Sequence, residues 1–332
     1  MKGSMRPIRI EGDSIAVLDQ RLLPTREVWI KVRSVDDAFS AIRELKVRGA
    51  PLIGVVGAYG LAQNITGNSQ DDRLTAEKLK GARPTAINLA WAIDRVLRAS
   101  LGGSRGAALQ EAKNIFDEEL NNARLIGVNG EPLISEGDAV LTHCNAGALA
   151  TVDYGTALAP LRIAKDKGKK FRVFATETRP VMQGSRLTAY ELLKDGFDVT
   201  LIADTAVGYT MSRGMIKKVI VGADRVFNDG HTINKIGTFQ VATLAKRFGI
   251  PFYVALPLST LDLEGSEATT KIEERGSVEL EYIRGKRVAP RGIKTFNPAF
   301  DITPPDLITA FITEKGVLKP PFKAINKIGT SS

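Results

Sequence analysis

The stretch Ala139–Pro180 reads AVLTHCNAGALATVDYGTALAPLRIAKDKGKKFRVFATETRP. A short apolar run, Ala139–Thr142, breaks into small turn-forming residues. A helical pattern follows over Gly155–Lys165, and a second β-rich run occupies Phe171–Thr176. Apolar runs without polar alternation suit strands buried on both faces, and such strands separated by helices form a parallel sheet covered on both sides. The grammar continues downstream: runs at Val199–Ala203, Lys218–Gly222 and Phe252–Leu256 interleave with helical patterns at Gly184–Lys194, Ala206–Ser212 and Ile236–Phe248. Residues 129–332 are therefore expected to form a doubly wound, mostly parallel, Rossmann-like α/β domain. Its ligand belongs beyond the carboxyl ends of the strands.

Upstream the pattern differs. Ile8–Ile10, Ile15–Leu18 and Val28–Val32 suggest a short antiparallel meander. Ser34 is a natural N-cap for a helix from Val35 to about Lys46, with Asp36 and Asp37 in its first turn. Pro51 and Pro84 each read as a first-turn proline opening a helix, and Gly106 to about Ile126 is a further helical stretch. Residues 1–128 are expected to form a smaller, mainly helical domain with that meander. Gly54, Gly57 and Gly60 recur at every third residue of an apolar helical pattern. They suit a close-packed helix face better than a dinucleotide fingerprint, which needs a preceding strand and different spacing.

Composition narrows the function class. The 332 residues are 43% hydrophobic and 25% charged, ordinary values for a globular protein with a substantial core. The longest apolar run, Pro51–Ala62, is shorter than the roughly 20 residues that span a bilayer. A single cysteine excludes an internal disulfide, and no secretory pattern opens the chain, so a reducing cytoplasm is expected. The net charge of +9 suits an anionic ligand. The basic residues are scattered and aromatics make up only 6%, which argues against nucleic acid as the partner.

The sheet rule sorts the candidate site residues. Cys144 follows the first strand of the domain, Glu177, Arg179 and Gln183 the next, Asp204 another, and Asp224 and Arg225 the fourth. A lone cysteine is commonly a small buried hydrophobe; beside a helix N-terminus it becomes a usable thiolate. With two histidines and one cysteine, soft metal ligands are scarce, and no metal is expected. His143 neighbours Cys144 on a strand and would point to the opposite face, which disfavours a cysteine–histidine hydrolase. Asp224 reads as a capping residue, as a partner of Arg225, or as a carboxyl at a buried strand end serving as general acid. Asn234-Lys235-Ile236-Gly237-Thr238, Arg48-Gly49-Ala50-Pro51 and Arg83-Pro84-Thr85 each bring a cation, or free backbone donors, to an expected helix start. Together they favour an anion held between the two domains. The tail copy at Ile325–Thr330 has no helix after it and carries no functional weight.

VRGAPLIGVVGAYGLA, RPTAINLAWAIDR, THCNAGALATVDYGTAL, ETRPVMQGSRLTAYEL and GADRVFNDGHTINKIGT resemble the methylthioribose-1-phosphate isomerases. So do PFYVALPLSTLDL, IEER and NPAFDITPPDLITAFITEKGV, in order from about residue 6 to residue 318. The resemblance implies a cofactor-free aldose–ketose isomerisation of a small sugar phosphate in methionine salvage, usually by a homodimer. It implies Cys144 and Asp224 as catalytic residues. It also implies Arg48, Gly49, Ala50, Arg83, Gln183, Asn234 and Lys235 as substrate contacts. Glu264–Thr270 departs from the family pattern. The fold is shared with ribose-1,5-bisphosphate isomerases and with non-catalytic regulatory subunits of a translation initiation exchange factor, which are the competing readings.

Overall fold

A computed structural model describes residues 5–84, 86–100, 104–283 and 285–322; Thr85 and the tail copy at Ile325–Thr330 lie outside them. Three antiparallel strands open the chain: β1 (Ile8–Glu11), β2 (Ser14–Leu18) and β3 (Trp29–Val32). Helix α1 (Val35–Arg43) follows, and Ser34 caps it through a reciprocal pair with Asp37, as the sequence predicts. Then come α2 (Ala50–Ala62), α3 (Ser69–Lys80), α4 (Ile87–Ala99) and the long α5 (Arg105–Gly130).

Every residue of α2 is buried, because a helix apolar all round has no solvent face to offer. Its glycines are the points of closest approach. A Cβ on Gly57 would lie 2.4 Å from Leu89 Cδ1 on α4, and one on Gly60 would lie 2.4 Å from Ala38 Cβ on α1. The three-residue glycine spacing is therefore a packing face. Pro84 departs from expectation: α4 begins only at Ile87, with Ala86 at its N-cap.

The second half alternates β4 (Ala139–Thr142), α6 (Ala159–Asp166), β5 (Arg172–Thr176), α7 (Ala189–Lys194), β6 (Asp198–Ile202), α8 (Val207–Ser212) and β7 (Lys218–Val221). It continues through β8 (Arg225–Phe227), β9 (Thr232–Lys235), α9 (Thr238–Arg247), β10 (Phe252–Ala255) and β11 (Leu261–Asp262). The last elements are α10 (Val278–Glu281), β12 (Tyr282–Ile283), β13 (Lys286–Arg287), β14 (Phe300–Thr303), β15 (Ala310–Thr313) and β16 (Gly316–Leu318).

Seven strands form the main sheet in the order β16-β15-β10-β7-β4-β5-β6, parallel except for β16 at one edge. Alternate side chains of each strand feed opposite cores. Val140, Val173 and Ile220 pack with Ile126 of α5 and Leu161 of α6, whereas Leu141, Phe174 and Val219 pack with Met211 of α8 and Val241 of α9. This is the expected doubly wound α/β sheet. The winding runs outward from β4 through β5 to β6, then returns to the other side of β4 for β7, β10 and β15. A smaller sheet, β11-β8-β9-β14, stands beside it, and β12 pairs with β13.

Candidate functional site

Between β4 and β7 the strand order reverses, and an open α/β sheet leaves a crevice at such a point. Cys144 follows β4 there. Its φ of 64° places a non-glycine residue in the left-handed region, a strained conformation that persists only when its surroundings enforce it. Its N–H donates to Thr178 Oγ1 at 2.9 Å, and its carbonyl accepts from Thr188 Oγ1 at 2.6 Å.

His143 braces the turn. It lies past the end of β4, where it lines the same cavity as Cys144 rather than facing away from it as expected for a strand residue. Its Nε2 lies 2.9 Å from the Ile236 carbonyl, which can only accept, so Nε2 carries the proton. Nδ1 therefore accepts from Thr176 Oγ1 at 2.7 Å, and Thr178 Oγ1 donates to Thr176 Oγ1 at 3.0 Å. Burial holds the ring's pKa below its ordinary value and keeps it neutral. A directed chain of hydrogen bonds thus ties the Cys144 turn to the turn that follows Lys235.

No α-helix starts beside the thiol, contrary to the sequence expectation. A short 3-10 turn at Ala148–Ala150 intervenes, and α6 begins only at Ala159. The cation that Cys144 meets is Lys235. Burial is the main cause that lowers the Lys235 ammonium to about 8, while Cys144 and Asp224 both pull it back up. Its Nζ donates to the Ala299 carbonyl at 2.7 Å and sits 4.3 Å from the Phe300 ring centroid. One ammonium therefore feels the thiol and the carboxyl together.

Asp224 follows β7, and its N–H donates to the Ile233 carbonyl at 3.0 Å. Among the described residues it forms no ion pair; Arg225 instead reaches Asp262 at 3.4 Å. Arg83 is half-buried; desolvation lowers the pKa of its guanidinium and the charge of Asp224 raises it. Asp204 stays outside the cavity, where its carboxylate accepts from the backbone of Thr178 and Arg179 at 2.8 and 2.7 Å. It braces the loop after β5.

From the helical side, Gly49 caps α2 at φ 90° without a side-chain cap. A Cβ there would come 2.2 Å from the Ala150 carbonyl oxygen, so only glycine lets this turn lie against the Cys144 loop. Arg48 reaches across to Asn145, donating to its Oδ1 and its carbonyl at 2.5 Å each. Asn234 donates to Thr238 Oγ1 at 3.0 Å. Gln183 precedes a π-turn over Gly184–Thr188, and its side-chain oxygen is buried without a partner among the described residues.

Cys144, Asp224, Arg48, Gly49, Ala50, Arg83, Gln183, Asn234 and Lys235 all line one cavity of about 280 Å³. A second cavity of about 320 Å³ shares Ala50, Arg83, Asp224 and Phe300 with the first, and its wall includes Ile53, Ile233 and Ile272. Sequence reasoning missed Arg275, Arg186 and Asn145, which also line the first cavity. Arg275 lies in the quoted IEER, and its partners Glu273 and Glu279 are visible only in the fold, at 3.0 and 3.3 Å. Among the described residues no group of three or more His, Cys, Asp or Glu is placed to hold a metal, and no helix is long and apolar enough to cross a membrane.

A family model described as the initiation factor 2 subunit family matches residues 46–320. The chain is 51% identical to a protein named putative methylthioribose-1-phosphate isomerase from Methanocaldococcus jannaschii, across 96% of this chain and 97% of that one. It is 47% identical to the methylthioribose-1-phosphate isomerase of Thermotoga neapolitana, across 97% of each. Among solved structures, the 5-methylthioribose 1-phosphate isomerase of Pyrococcus horikoshii superposes with a TM-score of 0.90 at 38% identity, covering 98% of this chain and 95% of that one. A structure described as translation initiation factor eIF-2B, subunit delta, from A. fulgidus superposes with a TM-score of 0.86 at 44% identity, covering 98% and 99%.

Proposed function

The chain belongs to the methylthioribose-1-phosphate isomerases, within the initiation factor 2 subunit family, and from that membership we propose how its residues divide the work. It is an aldose–ketose isomerase that converts 5-methylthioribose 1-phosphate to 5-methylthioribulose 1-phosphate; methionine salvage is the setting we propose for that reaction. The phosphate blocks hemiacetal opening at the anomeric oxygen, so the ring must open by another route. Asp224 protonates the ring oxygen as the bond from carbon 1 to that oxygen breaks. Cys144, as thiolate, removes the proton from carbon 2 and returns it to carbon 1. The hydroxyl proton of carbon 2 goes back to Asp224, which restores both groups and leaves a ketone. A hydride shift from carbon 2 to carbon 1 is the competing route, and it leaves Cys144 a positional role.

The observation that carries this reading is the meeting of a thiol, a carboxyl and a buried lysine at the strand-order reversal. The free backbone donors of Gly49 and Ala50, together with Arg83, Gln183, Asn234 and Lys235, suit the phosphate and the sugar hydroxyls. The adjoining cavity has Ile53, Ile233, Ile272 and Phe300 on its wall, which suit a methylthio group, beside Arg83, Arg225 and Lys271. The preference for this substrate over ribose 1,5-bisphosphate rests on the relatives named methylthioribose-1-phosphate isomerase. The name of the A. fulgidus neighbour raises the alternative of a non-catalytic regulatory subunit, but such a subunit has no use for the thiol and carboxyl together. A division near residue 128 into helical and catalytic lobes fits the separate cores around α2 and the main sheet. A homodimer fits the open edge strand β6, with Leu201 exposed on it and Leu193 and Tyr209 exposed on the adjoining α7 and α8.

Assaying purified protein with methylthioribose 1-phosphate and, separately, with ribose 1,5-bisphosphate tests the reading. Turnover of the first with little of the second is expected. No turnover of the first sugar overturns the assignment, and a preference for the second replaces it.

A further inference from the structure

Behind the cavity wall lies a carboxylate that the reaction itself does not use. Glu191 of α7 is fully buried. One of its oxygens accepts from Asn145 Nδ2 at 2.5 Å; the other accepts from the Ala148 N–H at 2.8 Å and from Arg162 at 2.7 Å. Arg162 also binds Asp195 at 2.6 Å. The Cys144 loop is draped directly over this carboxylate, for a Cβ on Gly147 would fall 2.1 Å from Glu191 Oε1.

The amide of Asn145 has a donor end and an acceptor end that can exchange places by a simple flip. A carboxylate only accepts and a guanidinium only donates. With Glu191 on one side and Arg48 on the other, only one orientation satisfies both. Nδ2 faces Glu191 and Thr188, while Oδ1 faces Arg48. Thr188 in turn holds the carbonyl of the strained Cys144.

We propose that Glu191 is a positioning residue: its carboxylate orients the Asn145 amide so that Asn145 fixes both the Cys144 turn and the Arg48 guanidinium. This inference rests on the catalytic reading of Cys144 given above, and Glu191 touches no substrate.

Glu191→Gln keeps the shape but sets its amide against a donor, whichever way that amide turns. Losing a hydrogen bond to a charged group at a site of this kind costs about ten- to a hundredfold in kcat/KM, with KM rising because Arg48 is freed. The exchange Asn145→Asp with Glu191→Gln preserves total charge and restores an acceptor opposite Arg48 and a donor opposite the new aspartate. It forfeits the Thr188 contact and reduces the Arg162 ion pair with Glu191 to a hydrogen bond from Arg162 to a neutral amide oxygen, while Arg162 keeps Asp195. Part of the loss is expected to be recovered. Cys144 is the sole cysteine, so alkylation by iodoacetamide across pH reads that turn alone. E191Q should change the rate and its pH profile, and the exchange should return both towards wild type.

Unchanged kinetics and alkylation in E191Q overturn the proposal, as does an exchange variant no better than the single one. If E191Q does not fold, the exchange variant against wild type still decides. A wild-type chain that fails to turn over methylthioribose 1-phosphate sinks the functional reading instead, and the alkylation series then judges Glu191 by itself.

Discussion

Cys144 and Asp224 stand just past the carboxyl ends of β4 and β7, neighbouring strands paired at Val140 with Lys218 and at Leu141 with Val219. Eighty residues of sequence separate them, yet only one strand spacing separates the elements that carry them. The reversal of winding keeps any covering connection from crossing the gap between these two strands. Removing either group should therefore cost turnover without emptying the cavity. Cys144→Ser and Asp224→Asn are each expected to lower kcat by about 10²–10⁴-fold, with substrate affinity by calorimetry largely retained. Near-normal turnover in either variant would remove that residue from the chemistry.

Lys235 sets a limit on the alkaline side. Burial, the largest cause, depresses its ammonium to about 8, helped by the charges of Arg275 and Arg83. It is charged below that pH and neutral above it, so an anionic substrate loses a partner as pH rises through about 8. A bound phosphate favours the charged form, so kcat/KM should fall at lower pH than kcat does. Lys235→Arg, which stays protonated, should carry the fall to higher pH. A pH profile of kcat/KM that is the same in wild type and Lys235→Met would sink this assignment.

Legibility followed chemistry at the strand ends. β4, β5, β7 and β10 were readable because each has an apolar core and is set off by a helical pattern. β15, equally apolar, escaped because the only α-helix between it and β10 among the described residues is the short α10. β8, β9 and β14 were not readable, because they are short and sit in a polar, turn-rich stretch whose pairing is set by tertiary contacts. α3 was missed as well: SQDDRLTAEKLK buries only Asp72, Ala76 and Leu79. At the site, chemical character could be read from sequence, but partnership could not. Nothing local marks Asn145 as the link between Arg48 and Glu191, residues 97 positions upstream and 46 downstream of it. The helix-end argument for Cys144 failed for the same reason. The cation there arrives from β9, through the hydrogen bonds of His143.

Gly49 is the joint where the helical side meets the Cys144 loop. An alanine at φ 90° is strained, and its methyl would press on the Ala150 carbonyl at 2.2 Å, a backbone atom that cannot rotate away. Gly49→Ala should destabilise the fold by roughly 2–4 kcal/mol and raise KM by displacing the donors that open α2. Urea unfolding and steady-state kinetics check both halves. A variant with native stability and native KM would show that the turn has room the structure denies it.

Glu119 offers a test of the contact between the helices and the sheet. It is buried on α5 and accepts the Ser259 hydroxyl at 3.2 Å, while Asn88 of α4 donates to Ser259 at 3.0 Å. Burial is the main cause raising its carboxyl from 4.5 to about 7; the Ser259 hydrogen bond opposes this and the charge of Glu314 adds to it. Between those two values the native state holds a proton that the unfolded chain has released. Stability therefore falls as pH rises through that window and levels off above about 7. The shift corresponds to something on the order of 3 kcal/mol. Glu119→Gln keeps the shape and an acceptor for Ser259 but cannot ionise, so it should lose this part of the slope. Comparing urea midpoints of wild type and variant at pH 5 and pH 8 cancels the contributions of other groups. The variant should gain on wild type at the higher pH, and an equal difference at both would mean that Glu119 ionises alike in the folded and unfolded chain.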